Sequence, residues 1–451
     1  MAAPLFDVIV VGAGLSGLVA ARRLAAAGVA LAVLEARDRV GGRTLSLPLG
    51  RGVADLGGQW ITPSQTRVLA LADELGVERF AQYRDGQAVM VEDEDRPRSL
   101  WARLGTALAL GRHIRRIERM RRRVPLGNPD QASEAARWDA MTFSDWLARV
   151  RSTPARESLA LLARLHFAAE PEDMSLLHVL HALQAGSGLV GSDALAGHEV
   201  RLVGGAQRLS LRLAEGLEAQ GMGVHLGRAV LRIEQSGDAV AITCADATYR
   251  ARLLILAMPP AAIARLAVSP SWPAARASLH QGMTLGPVIK HVLAYERAFW
   301  RERGLSGEVY DARGTVSAVV DHTDATGAQP ALQAFVLGAQ ARRLSALDAD
   351  ARHRVIVEAL VDALGPEASQ PVGYVEYDWA ADPWTAGCVG LLAPGMIRYH
   401  DALRAPVGRI HVAGSETAMR WPSYMDGAVE AGERAAAEVL ARLTGRASTE
   451  R

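Results

Sequence analysis

An α/β fold opening on a Rossmann-type dinucleotide-binding unit is predicted by three observations in the first 35 residues. The first is a β-branched apolar run, Phe6 to Val11, followed at once by Gly12, Gly14 and Gly17 in G-x-G-x-x-G spacing. The second is a helical stretch, Leu15 to Ala27, that stops at Gly28. The third is another apolar strand, Ala30 to Leu34, closed by Glu35, 18 residues after the third glycine.

Each part has a physical task. Gly12 makes the tight turn, Gly14 lets the backbone approach a pyrophosphate, and Gly17 lets helix and strand pack closely. The first turn of the helix, with Ser16, offers unpaired N–H groups to phosphate charge. Glu35 can accept hydrogen bonds from ribose hydroxyls and would repel a 2′-phosphate, which disfavours NADP. The continuation ARDRVGGRT adds Arg37, Gly41, Gly42 and Arg43, a second flexible, cationic stretch. An NAD domain has no use for it, whereas FAD enzymes of the glutathione-reductase type do, so FAD is the expected cofactor. In ADLGGQWITPSQ, Gly57 and Gly58 give another close backbone approach beside Gln59 and Trp60.

At 451 residues the chain is too long for one simple core, so at least two domains are expected. A hydrophobic content of 49% with 22% charged residues fits an ordinary globular protein, and a net charge of +1 carries no global signature of nucleic-acid binding. Two cysteines, Cys244 and Cys388, make neither a disulfide framework nor a metal site and predict a cytoplasmic protein. The start MAAPLFDV lacks the features of a signal peptide. No run of about 18 apolar residues predicts a membrane span.

Lys290, in TLGPVIKHVLAY, is the only lysine among 50 Lys and Arg residues. Alanine and arginine dominate the composition, as GC-rich coding produces, and that drift replaces exposed lysines with arginine at little cost. A surviving lysine points to a place where a compact ammonium, able to lose its proton, is needed; arginine offers neither property. The alternative is a strand residue whose head reaches solvent.

Segments along most of the chain, in order, resemble the flavin-dependent amine oxidase family, and within it the monoamine oxidases. They are FAAEPEDMSLLHVL (Phe167 to Leu180), RLVGGAQRLSLRLAEGL (Arg201 to Leu217), VHLGRAVLRIEQ (Val224 to Gln235), LILAMPP (Leu254 to Pro260), GPVIKHVLAYERAFW (Gly286 to Trp300), DWAADPWTAGCVGLLAPG (Asp378 to Gly395) and the stretch from Gly408 to Leu440. The resemblance implies a glutathione-reductase-type FAD domain from residues 1–79, 203–279 and 382–451, interleaved with an α+β substrate domain from 80–202 and 280–381. A closing helix, Gly427 to Leu443, and a charged helical middle, Trp101 to Arg151, fit that division.

The resemblance also implies roles for individual residues. Lys290 would hold a water beside flavin N5 and assist oxygen reduction. Tyr424, in RWPSYMDG, would be one wall of an aromatic cage for the amine. The second wall falls on Val389, making the amine passage half aliphatic, with Trp384 or Trp421 as candidates to compensate. Cys388, in TAGCVG, stands where mammalian monoamine oxidases bond the flavin 8α-methyl; a thioether and a simple buried thiol are both open, the non-covalent state being favoured. Val230 would lie beside the adenine and Trp379 under the isoalloxazine. Ser415 and Glu416 would lie at the pyrophosphate region, and Met425 at a helix N-terminus by the flavin N1–C2=O edge. A core indole and an N-cap carboxylate are the structural alternatives for Trp379 and Glu416. Leu165, His166, His198, Tyr310 and Val320 would line the distal pocket, with His198 orienting a polar substrate end.

Amino-acid oxidases clamp a carboxylate with an arginine after the LGG turn; Gln59, Trp60 and Ile61 stand there, so a free amine is expected. Glu170, Glu172 and Asp173 are assigned a structural role rather than diamine binding. The implied activity is FAD-dependent oxidative deamination of a primary or secondary amine to an imine and then an aldehyde or ketone, with O2 reduced to hydrogen peroxide. An FAD-dependent desaturase or dehydrogenase, or a polyamine or amino-acid oxidase of the same superfamily, is the alternative. The partners are the amine and O2; a homodimer is left open. GRHIRRIERMRRRVP (Gly111 to Pro125) is expected to be the solvated face of an amphipathic helix, with anionic lipid or a partner as the alternative. The ending LTGRASTER predicts no counterpart of the C-terminal membrane helix of mammalian family members.

Overall fold

The computed structural model describes residues 5–91, 100–186, 188–189 and 200–445. His198 lies outside them. The first β-branched run forms the strand Leu5–Val11, near the centre of an eight-stranded sheet. Leu31–Leu34 and Thr248–Leu256 flank it, both parallel. Gly223–His225 and Ile410–Val412 extend the parallel part. The register sets Val11 opposite both Leu34 and Leu256, and Leu256 opposite Val412. These strands therefore end at one edge, where a parallel sheet binds its ligand.

The expected helix Leu15 to Ala27 is Leu15–Ala26, and the closing helix is Met425–Leu443, two residues longer at its start than the sequence suggests. The two pack tightly: a Cβ on Gly432 would lie 2.4 Å from the Ser16 carbonyl oxygen. The Val224 to Gln235 segment holds two strands that do not pair with each other: Gly223–His225 is an edge strand beside Leu31–Leu34, while Val230–Ser236 pairs with Ala239–Cys244 across the sheet. The turn between them is tied to the ligand edge, where Gly227 N donates to Arg37 O and Arg228 N to Glu35 O.

A second sheet has six strands in the order Gly373–Asp378, Val288–Ala294, Ala331–Leu337, Ala318–Asp321, Leu305–Tyr310, Gln87–Met90. Every residue of Val288–Ala294 is buried, and its Lys290 lies between Phe335 and Tyr377 on the neighbouring strands. The solvent-reaching alternative for Lys290 is thereby excluded.

Helices Leu100–Arg121, Thr153–Phe167 and Leu176–Ala185, with the short Ala135–Asp139 and Phe143–Leu147, pack around Trp138, Phe143 and Trp146. Ser152 and Ser175 cap two of them, and Thr142 and Asp145 form a capping box. The basic run lies on Leu100–Arg121, where Ile117 is fully buried. No helix of the described residues is long and apolar enough to cross a membrane. Among the same residues no cluster of His, Cys, Asp and Glu could hold a metal ion.

Candidate active site

A cavity of about 930 Å³ runs from the ligand edge of the parallel sheet to the face of the six-stranded sheet. Its nucleotide end follows from the first turn. Gly12 has φ +104, and a Cβ there would lie 2.5 Å from the Ala257 carbonyl oxygen. Gly17 does not line the cavity; a Cβ on it would lie 2.0 Å from the Gly12 oxygen, so it serves the helix–strand packing. Gly14, Ser16, Gly42, Gly57 and Gly58 do line it. The Leu15–Ala26 helix has no side-chain cap, which leaves its first N–H groups to an anion.

Glu35 is buried, and its oxygens accept from Ala13 N at 2.7 Å and Arg37 N at 2.9 Å. That fixes the carboxylate and leaves lone pairs for ribose hydroxyls. Arg37 pairs with Asp382 at 2.6 Å, and its buried Nε has no partner. Burial opposes the charge of Asp382, but hydrogen bonds from Arg37 and Tyr377 hold its carboxyl at about 2. Val230 and Arg228 complete this end.

Arg43 spans the middle. It donates to both oxygens of Glu416, at 2.5 and 3.1 Å, to Ser415 Oγ at 2.9 Å and to the Cys388 carbonyl at 2.6 Å. Burial works against its charge, yet the Glu416 carboxylate raises its pKa further. Glu416 lines a small cavity behind Tyr424 rather than the large one, so its reach toward a cofactor passes through Arg43. Trp379 is a buried floor residue anchored by Nε1–H to the Leu56 carbonyl at 2.7 Å. Met425 lines the cavity at the uncapped start of the last helix.

Lys290 Nζ donates to Gly57 O at 2.6 Å and Gln59 Oε1 at 2.9 Å, leaving one of its three hydrogens for the cavity. Phe335 and Trp60 hold their rings 4.9 and 5.5 Å from Nζ. Burial lowers its pKa to about 8, moderated by Cys388 and Asp55 and reinforced by Arg201. The ammonium can therefore give up its proton near neutrality. The Cys388 thiol lines the same space, with its pKa raised by burial.

The amine end is largely apolar. Leu161, Leu165, Val320, Phe335, Leu337 and Val389 line it, with Tyr424 and Trp421 in edge contact at 5.2 Å. Tyr310 spends its hydroxyl on Glu308 at 3.3 Å. His166 is neutral: burial lowers its pKa, and Nδ1 meets the Leu162 carbonyl at 2.9 Å, leaving Nε2 as an acceptor. Glu35, at the far end, is the only carboxylate among the described lining residues. Glu170 accepts from Ala339 N at 2.9 Å and pairs with Arg164 at 3.3 Å, so it and its acidic neighbours stay out of the cavity.

Backbone strain gathers here. Among the described residues, the non-glycine residues with positive φ are Ala168, Ala386, Trp421 and Ser423; three line the cavity, and Ala386 is two residues from Cys388. Sequence reasoning missed Phe335, whose signal is only its register opposite Lys290, and Ala168, held in a left-handed cap at the end of Thr153–Phe167.

The donor set fits FAD. A fixed carboxylate suits the ribose, two uncapped helix starts suit phosphate and the flavin's polar edge, and buried Arg37 Nε and Gln59 Nε2 await acceptors. Known proteins agree with the geometry. Residues 15–440 match the model of the flavin containing amine oxidoreductase family. The chain is 36% identical to amine oxidase [flavin-containing] A of Equus caballus, covering 98% of this chain and 86% of that protein. It is also 36% identical to amine oxidase [flavin-containing] B of Bos taurus, covering 96% and 86%. Among solved structures, cyclohexylamine oxidase from Brevibacterium oxydans superposes with a TM-score of 0.90 at 29% identity, covering 98% of this chain and 100% of that one. Putrescine oxidase bound to putrescine superposes at 0.89 with 33% identity, covering 97% and 100%. Fold, cavity and likeness converge: this chain belongs to the flavin-containing amine oxidoreductase family, whose chemistry is FAD-dependent amine oxidation.

Proposed function

We propose that this amine oxidase takes apolar monoamines, with alkyl or cycloalkyl bodies, in preference to diamines and amino acids. One observation carries the reading: the amine end of the cavity presents aliphatic side chains and a neutral histidine, with no lining carboxylate among the described residues. A second ammonium would be desolvated there without a partner, which is costly. An α-carboxylate would likewise find no arginine after the Gly57–Gly58 turn, where Gln59 and Trp60 stand.

In this reading Gly12, Gly14, Ser16, Glu35, Arg37, Arg43, Ser415 and Met425 hold FAD, within the domain boundaries that the sequence suggests. Bound FAD supplies the hydride acceptor for the amine α-carbon. Tyr424 and Val389 flank the entering nitrogen, and the aliphatic wall excludes water. The amine leaves as an imine, which water converts to an aldehyde or ketone and ammonia; O2 takes the two electrons and two protons as hydrogen peroxide. The Lys290 ammonium provides a positive charge and a donor where oxygen is reduced. Cys388 remains a thiol, because burial disfavours its thiolate; acid precipitation should leave the yellow colour in the supernatant, and colour in the pellet would show a covalent bond. The two free cysteines fit a cytoplasmic setting.

An amine panel read by peroxide release tests the substrate class. Cyclohexylamine should exceed putrescine in kcat/KM by about 100-fold; equal values would refute the preference. Val389→Tyr should narrow the passage and raise KM for cycloalkyl amines about tenfold, with little change for short linear amines. Steady-state kinetics on both classes reads that difference.

A further inference from the structure

The Leu100–Arg121 helix has two working sides. Leu110 and Ile114 line the amine cavity, while Arg112, Arg116 and Arg119 project from the opposite side into a second space. That space is a groove of about 1140 Å³ between this helix and the stretch from Arg137 to Ser152. Seven arginines line it, and none of its described lining residues is Asp or Glu. Arg123 and Arg137 share Glu134, at 3.6 and 3.0 Å. Arg112, Arg116, Arg119 and Arg151 have no ion-pair partner among the described residues, and Arg149 acts only from beyond ion-pair distance on Asp145, whose carboxyl it helps to hold down.

The aromatic lining is independent of that charge. Trp138 and Trp146 are buried, 1% and 2% exposed. Arg123 stacks over the first at 5.4 Å and Arg116 over the second at 6.0 Å, so two guanidiniums are braced on rings. Both indole N–H groups and His113 Nδ1 lack hydrogen-bond partners. A concavity rich in donors, with unneutralised like charges facing one another, is the opposite of the mixed-sign surface that solubility favours. Guanidinium forks match phosphate oxygens in geometry as well as charge.

We propose that this groove binds a small anion carrying several phosphate groups, such as an inorganic polyphosphate or a nucleoside polyphosphate. Its size exceeds what one phosphate fills. The lining arginines are exposed while Trp138 and Trp146 are buried, a concave wall that suits an anion able to enter and meet several guanidiniums at once.

Calorimetric titration of the FAD-loaded protein with sodium tripolyphosphate at low salt is the test. Saturable one-site binding is expected, weakened at least about tenfold in Arg112→Gln/Arg149→Gln and clearly weaker in Arg119→Gln alone. Arg115→Gln should bind as the unaltered protein does, because Arg115 is exposed on the same helix but does not line the groove. Unchanged FAD content in the variants shows that the fold is intact; should the double variant lose FAD, Arg119→Gln carries the comparison. Absence of saturable binding, equal weakening by Arg115→Gln, or binding of phosphatidylglycerol vesicles without binding of tripolyphosphate would overturn the proposal.

Discussion

Lys290→Met is expected to slow the reaction of the reduced enzyme with oxygen by about 100-fold, the scale of losing one preorganised charge stabiliser. FAD content should be largely retained, because Glu35, Arg37 and Arg43 are fixed by partners that do not include the ammonium. The anaerobic half-reaction with amine should change far less. The pH dependence follows from burial, which brings Lys290 to about 8. Below that value the ammonium is charged and oxygen reduction is fast; as pH rises through about 8 the charge and the advantage are lost. Stopped-flow mixing of reduced enzyme with oxygen from about pH 6 to about pH 10 would read both effects. The Met variant should lose this step in the profile. Retention of full oxygen reactivity would leave the lone lysine without the role assigned to it.

Arg43→Met is expected to lower stability by about 3–5 kcal/mol and to strip most of the FAD, the typical outcome of orphaning a buried charge. Glu416 is the reason: its side chain is 1% exposed, and Arg43 meets it with two hydrogen bonds. The same arginine joins Ser415 to the carbonyl of Cys388, so its loss unties two segments of the cavity wall. Glu416→Gln in the Arg43→Met background should recover part of the stability, because it removes the orphaned charge. Denaturant unfolding with parallel flavin absorbance measures both quantities. A double variant no more stable than Arg43→Met would mean that the pair matters only for packing.

The nucleotide half of the site was legible because its chemistry is local. Gly12, Gly14, Gly17 and Glu35 are fixed by one turn and two strands, so spacing alone determines their geometry. Lys290 was legible through composition, and burial of the whole Val288–Ala294 strand removed its alternative. Phe335 was not legible, because it approaches Lys290 only through cross-strand register, which no short motif encodes. Glu416 is held by Arg43, 373 residues away, a pairing that only the tertiary fold makes.

The apolar, carboxylate-free amine end is the central claim, and anaerobic mixing of the FAD-loaded enzyme with single amines tests it without involving oxygen. Cyclohexylamine should bleach the visible flavin absorbance rapidly, while putrescine at the same concentration bleaches it about 100-fold more slowly. Faster bleaching by putrescine, or none by any monoamine, would contradict the account.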